Sequence, residues 1–204
     1  FYLAYKGDWL SRDELLYVFY SDSAEKPARA NLRQLLASLR RLPYAEGLEI
    51  EDTQVRFQIE NDVATFKKAI REEKWVKVLE FYQGELLHGF NPPDLSEFDN
   101  WLALERQTLH AAWRKASLTF ATELATTERY ALAVEFLTPL HKADPLDEEV
   151  MRVYLEQLYS SGQKTEALET FATFRNTLHH ELGSEPEQNT LELIEHIQQD
   201  KPLG

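Results

Sequence analysis

The sequence predicts a mainly α-helical protein with two parts, a short helix-and-hairpin part followed by a longer array of helices. Apolar residues recur at spacings of three and four through most of the chain, which favours helices. A 34-residue repeat is visible in the second half, as expected for stacked helical pairs. The 204 residues include only 7 glycines, too few for the many tight turns of an all-β fold.

Two helices are predicted near the start of the chain. Ser11 begins a capping box, which predicts a short helix that continues to about Tyr20. A polar turn then leads to Pro27, a residue well suited to the first position of a helix because its missing NH is not needed there. The second helix is predicted from Pro27 to Leu42, since the following proline, Pro43, disfavours helical backbone before it.

A β-hairpin is predicted after these helices. Residues 48–59 alternate between apolar and polar side chains on either side of a polar Asp-Thr pair. Helix, turn, helix and hairpin in this order are typical of a winged helix-turn-helix. We therefore expect a first domain at residues 1–61 and a helical domain at residues 62–204.

The second helix is the most basic segment of an acidic chain. The formal net charge is −13, yet residues 26–42 contain five Lys or Arg and no acid. The apolar positions form one stripe, made of Ala28, Leu32, Leu35, Leu36, Leu39 and Leu42. The candidate DNA-contacting residues lie on the other face and its margins: Arg29, Arg33, Gln34, Ser38, Arg40 and Arg41. Arg and Gln can bond base edges in a major groove while other cations neutralise phosphates, although a solvated helix face is the alternative interpretation.

The hairpin complicates the DNA-binding hypothesis. It contains three acids, Glu49, Glu51 and Asp52, and one positive residue, Arg56. Either the hairpin points away from the nucleic-acid backbone, or this domain has lost DNA binding and the chain is a protein-interaction scaffold or signalling module. Both interpretations stay open at the level of the sequence.

Most of the remaining chain is predicted to be helical. Asp62 is predicted to cap the first helix of this part, and helix is expected up to residue 83. Residues 84–95 are excluded from helix because they contain Pro92-Pro93. Further helices are predicted over residues 97–125, 128–142, 146–160, 164–181 and 187–199.

The repeat has the period of tetratricopeptide repeats. A shift of 34 residues aligns Leu124 with Leu158, Ala133 with Ala167, Leu137 with Phe171 and Leu140 with Phe174. Such repeats stack into an array with a concave surface that can bind a partner. By analogy with the usual geometry of the repeat, Arg152, Glu156 and Tyr159 are the candidate partner-binding residues.

The sequence offers no candidate for catalysis, metal binding or membrane insertion. It has no cysteine, and its six histidines show no metal-ligand spacing. No phosphate-binding glycine loop, nucleophile motif or dinucleotide fingerprint occurs, and no stretch approaches the roughly 18 apolar residues of a membrane span. We therefore expect no enzymatic activity, cofactor, metal or membrane insertion, and a composition compatible with the cytoplasm.

Several motifs carry a resemblance to a known family. They are VLEFYQGELL at 78–87, Trp101 and Arg106, ADPLDE at 143–148, GQKTEAL at 162–168 and ELGSEP at 181–186. In this order they resemble the bacterial transcriptional activator domain, which follows a winged helix in the Streptomyces antibiotic regulatory proteins. Residues 8–15 and 28–42 are similar to the winged helix of response-regulator type in that family.

The resemblance implies a transcription regulator of the activator type. Its partners would be double-stranded DNA, contacted by the winged helix, and RNA polymerase or other protein subunits, with a homodimer formed through the helical domain. It also implies an N-terminal β-sheet and most of a first helix before Phe1. We therefore expect the winged helix here to be truncated and the chain to be a segment of a longer protein.

Overall fold

The structure is a computed structural model that describes residues 1–92 and 95–202. Within these residues, ten helices and three short strands follow one another, which confirms the predicted mainly α-helical fold. Packing divides the chain into two compact units, Phe1–Ala112 and Trp113–Gly204. Among the described residues, no helix combines the length and the apolar character needed to cross a bilayer.

The first unit has the element order of a winged helix followed by two short helices and the start of a long one. The elements are α1 (Tyr2–Lys6), β1 (Leu10–Ser11), α2 (Arg12–Tyr20), α3 (Glu25–Leu39), β2 (Leu48–Ile50), β3 (Gln54–Phe57), α4 (Asp62–Arg71), α5 (Trp75–Phe81) and α6 (Ser96–Thr126), which continues into the second unit. The predicted cap of α2 is confirmed, since the Ser11 hydroxyl accepts a hydrogen bond from the Glu14 backbone NH at 3.0 Å.

The predicted hairpin is confirmed as part of a small antiparallel sheet with the strand order β1-β3-β2. Val55 in the central strand faces Leu10 on one side and Ile50 on the other and is fully buried. A Cβ atom on Gly47 would lie 1.9 Å from the carbonyl oxygen of Gln58. Glycine is therefore required at the base of the hairpin.

Helix α3 is displaced toward the N-terminus relative to its prediction. It begins two residues before Pro27, and it ends at Leu39 rather than at Leu42. Beyond Leu39 the backbone NH groups of Arg41 and Leu42 bond to carbonyls three residues earlier, both at 3.1 Å. A tighter turn therefore replaces the last predicted turn of α-helix.

One core joins the winged-helix elements to α6. Its buried members are Tyr2, Leu3, Leu10, Leu15, Val18, Leu32, Leu36, Val55, Phe98 and Leu102. The Tyr2 ring meets Trp101 of α6 edge to face, with 4.7 Å between the ring centroids. The predicted domain boundary between residues 61 and 62 separates the winged-helix motifs from those of the helical domain, and it stays a prediction. Packing instead divides the chain after Ala112.

The predicted cap of α4 is wrong by one residue. Asn61, not Asp62, is the N-cap, and its side-chain oxygen accepts a hydrogen bond from the Ala64 NH at 2.8 Å. Asp62 is the first helical residue, where its negative charge is favoured by the helix dipole. The helical stretch expected up to residue 83 is broken by a turn at Glu73, which has a φ of 52°.

The second unit contains the end of α6 and the repeat helices. These are α7 (Tyr130–Ala143), α8 (Glu148–Ser160), α9 (Lys164–Leu182) and α10 (Gln188–Gln198). Helix α8 packs between α7 and α9, and α10 packs against α8 and α9. The eight residues aligned by the 34-residue shift are all buried, with at most 8% of their surface exposed. The 34-residue repeat seen in the sequence therefore marks residues that occupy equivalent buried positions in the two copies.

Helices α4, α6, α8 and α10 end in the same kind of turn. One residue in each turn has a positive φ: Glu73, Glu128, Gly162 and Asp200. The NH of the following residue bonds to the carbonyl five residues earlier, at 2.9 to 3.0 Å in all four turns. This is the Schellman arrangement, in which the last carbonyls of a helix are satisfied as the chain reverses. Glu128 and Gly162 are 34 residues apart, so the turn belongs to the repeat.

Candidate nucleic-acid interface

Helix α3 is anchored to the first unit by a narrow apolar stripe. Ala28, Leu32 and Leu36 are buried, at 3 to 4% exposure. Leu35 was predicted to join this stripe, but it is 42% exposed, so that prediction is wrong. Leu35 lies at the margin of the stripe that Ala28, Leu32 and Leu36 form. Leu39 is half-buried against the same core, and the other residues of the helix are exposed.

The six predicted DNA-contacting residues are all exposed; four lie on α3, and Arg40 and Arg41 lie in the turn that follows it. Within the described part of the chain, the side chains of Arg33, Gln34 and Arg41 make no hydrogen bond or ion pair. Two guanidinium groups and one amide are therefore available to a ligand without breaking an existing contact. The exposure of Arg33 and Gln34 follows from the helical periodicity of α3, whereas Arg41 is exposed in the tighter turn after the helix.

Arg29 is in a different state, because two acids hold it. Its Nε lies 3.0 Å from Glu25 of the same helix, and its Nη2 lies 3.1 Å from Asp13 of α2. The hydrogen bond to Glu25 and the attraction of Asp13 raise the pKa of Arg29. Arg29 therefore ties α3 to α2, and a phosphate would compete with two carboxylates for it.

Arg40 and Ser38 also have contacts within the protein. Arg40 donates a hydrogen bond from Nη2 to the Ile50 carbonyl at 3.3 Å, which links the end of α3 to strand β2. Arg12 makes a similar bond to the Glu51 carbonyl at 2.9 Å. The Ser38 hydroxyl donates to the Gln34 carbonyl of the preceding turn at 3.0 Å. Arg40 and Arg12 thus fix the hairpin relative to the two helices.

The hairpin itself presents negative charge. Glu49, Glu51 and Asp52 are all exposed. The one positive side chain, Arg56, is paired with Glu49 at 2.6 Å and lies over the ring of Trp9, 4.6 Å from its centroid. The hairpin tip therefore repels phosphates, and attraction to a duplex has to come from α3.

Lys26 belongs with the candidate residues although the prediction omitted it. It is the second residue of α3, it is exposed, and its amine has no partner within the described residues. Its place in the acid-free segment 26–42 was the available signal. A cation in the first turn of a helix that enters a groove is well placed to reach the phosphate backbone.

The three predicted partner-binding residues lie on α8 in the second unit. Arg152 donates from Nη1 to Glu187 at 2.8 Å and to the Thr190 hydroxyl at 3.3 Å, and the Tyr159 hydroxyl donates to the Lys201 carbonyl at 3.0 Å. Glu156 is half-buried, and burial raises its pKa against the attraction of Arg152. Two of the three residues are therefore occupied by the C-terminal helix and the residues around it, and Glu156 remains the most available.

Among residues 1–92 and 95–202, no three His, Cys, Asp or Glu side chains come together as metal ligands would. The exposed basic face of α3 is thus the feature of the described structure with the clearest chemical use. In a helix-turn-helix, the second helix enters the major groove, where its side chains meet base edges and the adjacent phosphates.

Comparison with known proteins agrees with this architecture. The bacterial transcriptional activator domain family matches residues 59–198. The regulatory protein AfsR of Streptomyces coelicolor is 31% identical over 127 residues, which cover 62% of this chain and 12% of that protein. AfsR of Streptomyces griseus is 40% identical over 68 residues, which cover 33% of this chain and 7% of that protein. The matched regions span no more than about an eighth of these relatives.

A solved structure shares the fold. It is that of Mycobacterium tuberculosis EmbR in complex with a low-affinity phosphopeptide, with a TM-score of 0.60 and 18% identity over 97% of this chain and 56% of that one. The predicted combination of a winged helix with a tetratricopeptide-like helical domain is therefore confirmed. The family matches about two thirds of the sequence, in the region where its motifs were found. This chain belongs to the bacterial transcriptional activator domain family.

Proposed function

We propose that this chain is part of a transcription regulator of the activator type and that α3 binds DNA in the major groove. Arg33, Gln34 and Arg41 contact bases or backbone, while Lys26, Arg29 and Arg40 lie near phosphates. The helical domain provides dimerisation or contacts to RNA polymerase or other protein subunits. The proposal gives the chain no catalytic role and places it in the cytoplasm with the bacterial chromosome.

One observation carries the DNA-binding proposal. The exposed side of α3 and the turn after it carry Lys26, Arg33 and Arg41, which have no partner among the described residues, in a chain whose formal net charge is −13. Isolated arginines in an acidic protein would gain energy from pairing with the surrounding carboxylates, as Arg29 does with Asp13. Arg33 on α3 and Arg41 in the turn after it are instead exposed to solvent without a carboxylate partner among the described residues. Local charge, rather than the net charge of the chain, determines what a phosphate backbone meets at contact.

An alternative function is a protein-interaction scaffold without DNA contact. The acidic hairpin favours it, because Glu49, Glu51 and Asp52 are exposed and Arg56 is paired with Glu49. In this case α3 would be a binding surface for an acidic protein partner. The two functions differ in whether the chain selects particular duplexes from a random pool.

The distinguishing experiment is selection of binding sites from random double-stranded DNA, followed by gel shifts with the selected duplex. The DNA-binding proposal predicts that one sequence is enriched and that the gel shift of this duplex is lost with the Arg33→Ala and Arg41→Ala variants. Arg175→Ala is the matched control, since Arg175 on α9 is exposed and has no side-chain partner among the described residues. No enrichment, or equal loss with all three variants, would support the scaffold instead.

Dimerisation is proposed for the helical domain and is tested separately. Sedimentation equilibrium of the 204-residue chain, with and without the selected duplex, measures the oligomeric state directly. A dimeric regulator predicts a selected site made of two half-sites about one helical turn apart or a multiple of it. A monomer bound to a single half-site would remove dimerisation from the proposal and leave DNA binding in place.

A further inference from the structure

A polar groove in the second unit is not used by the proposed DNA contact. It is lined by the end of α6, the start of α7 and facing residues of α8 and α10, and its volume is about 560 Å³. Volumes of this order are typical of sites that bind small molecules or side chains. The groove lies next to Glu156, the most available of the predicted partner-binding residues.

The groove is strongly negative for its size. Three carboxylates line it, Glu156 from α8 and Glu192 and Glu195 from α10. No Lys or Arg is among its described lining residues, and His196 is the only basic group there. Glu192 accepts one hydrogen bond from Gln188 at 2.9 Å, and Glu195 has no side-chain partner in the described structure. Carboxylates gathered in a concave site concentrate a field that attracts cations.

A second feature of the groove is an unsatisfied amide. Gln157 lines the groove and is only 6% exposed, yet neither its Oε1 nor its Nε2 has a hydrogen-bond partner among the described residues. Buried side-chain amides are normally bonded, because desolvation without a partner is unfavourable. A half-turn about the last side-chain bond exchanges oxygen and nitrogen, so Gln157 can present an acceptor to a guest in the groove.

We propose that this groove binds a lysine or arginine side chain from an extended segment of a partner protein. The cationic group would lie among the carboxylates of Glu156, Glu192 and Glu195 and donate a further N–H hydrogen bond to the amide oxygen of Gln157. The aliphatic part of the side chain would lie along Leu193, which also lines the groove. The inference deepens the protein-contact part of the proposed function and rests on it, but it does not depend on DNA binding by α3.

The test is NMR titration of the isotope-labelled 204-residue chain with an acetylated, amidated Gly-Ser-Arg-Ser-Gly peptide. We expect chemical-shift changes centred on Glu156 and Glu192. A peptide with citrulline in place of the arginine should bind at least about tenfold more weakly, because it lacks the positive charge. Replacing Glu192 and Glu195 by Gln together should weaken binding by up to about 25-fold, taking a limit of about fivefold for each exposed pair. Glu169→Gln, an exposed acid on α9 outside the groove, should change the affinity less than twofold.

The amide gives an independent readout. Gln157→Leu removes a buried polar group without a partner, so the variant should melt at the same or a higher temperature while it binds the arginine peptide at least about threefold more weakly. A lower melting temperature would show that the amide serves the free fold and would overturn the inference. Equal binding of the citrulline peptide, or tighter binding of spermidine than of the peptide, would also overturn it. Duplex binding by the same variants should be unchanged, so failure here is distinguishable from failure of the DNA proposal.

Discussion

The salt dependence of DNA binding gives a quantitative test of the α3 surface. Each phosphate contact by a cation contributes about 0.9 to the slope of log affinity against log salt, because a condensed counterion is released. Arg33 and Arg41 have no partners in the described chain, so their full charge is available. Replacing both by Ala should therefore reduce the slope by about 1.8 if both contact phosphates.

The slope translates into a measurable difference in affinity. Between 50 and 200 mM salt, the unmodified chain should lose about twelvefold more affinity than the double variant. This factor is the fourfold increase in salt raised to the power of the slope difference, about 1.8. Fluorescence anisotropy with the selected duplex at five salt concentrations measures this. Arg175→Ala should leave the slope unchanged, and Arg29→Ala should reduce it by less than 0.9 because Glu25 and Asp13 already hold Arg29. Equal slopes with a lower affinity for the double variant would move these arginines from phosphates to base edges, whereas equal slopes and equal affinities would refute their assignment to the DNA surface.

Three further predictions concern single contacts. Glu25→Gln removes one competitor for Arg29 and should tighten duplex binding severalfold in the same anisotropy assay; unchanged or weaker binding would mean that Arg29 stays with the protein. Glu128→Gly relieves the backbone strain of a non-glycine residue with a φ of 59° and should raise the free energy of unfolding by about 0.5 kcal/mol in urea titration. An unchanged or lower free energy of unfolding would show that the turn is not strained. Asp147→Asn keeps a capping side chain but removes the charge that Arg114 contacts at 2.9 Å, and should cost about 1 kcal/mol at neutral pH. Burial opposes ionisation of Asp147, but hydrogen bonds and the charge of Arg114 together lower its pKa. The stability that the ionised Asp147 adds is therefore present at neutral pH and is lost as the pH falls through the lowered pKa. The stability difference between the variant and the unmodified chain should shrink in acid, and a difference independent of pH would contradict this.

The parts of the structure that were predictable depend on local periodicity. The apolar positions of α3 recur every three or four residues, and this periodicity fixed which side of the helix carries Arg33 and Gln34. The 34-residue repeat was visible because it reflects core positions, where each copy keeps a small or a large residue at the same place for packing. The first inference needs only the sequence of one helix, and the second needs only the comparison of two neighbouring repeats.

The parts that were missed depend on tertiary contacts or on fine backbone geometry. The Glu25 partner of Arg29 lies one helical turn away in sequence, but Asp13 reaches it only through the packing of α2 on α3. Asn61 and Asp62 are equally good capping residues, and the choice depends on which one has extended backbone, at φ −143° and ψ 159° for Asn61. Glu128 occupies a left-handed position that sequence preferences give to glycine or asparagine, and only its alignment with Gly162 indicates the turn.

The position of α3 on a duplex can be measured directly, because the sequence contains no cysteine. Ser38→Cys places a single thiol on the exposed face of α3, and Asn176→Cys places one on an exposed position of α9 as a control. Each variant is labelled with a photoactivatable cross-linker and irradiated with the selected duplex. If α3 enters the major groove, cross-links form from residue 38 to bases within the selected site and not from residue 176. A duplex that is bound by both variants but cross-linked by neither, or only from residue 176, would contradict the claim that α3 reads DNA.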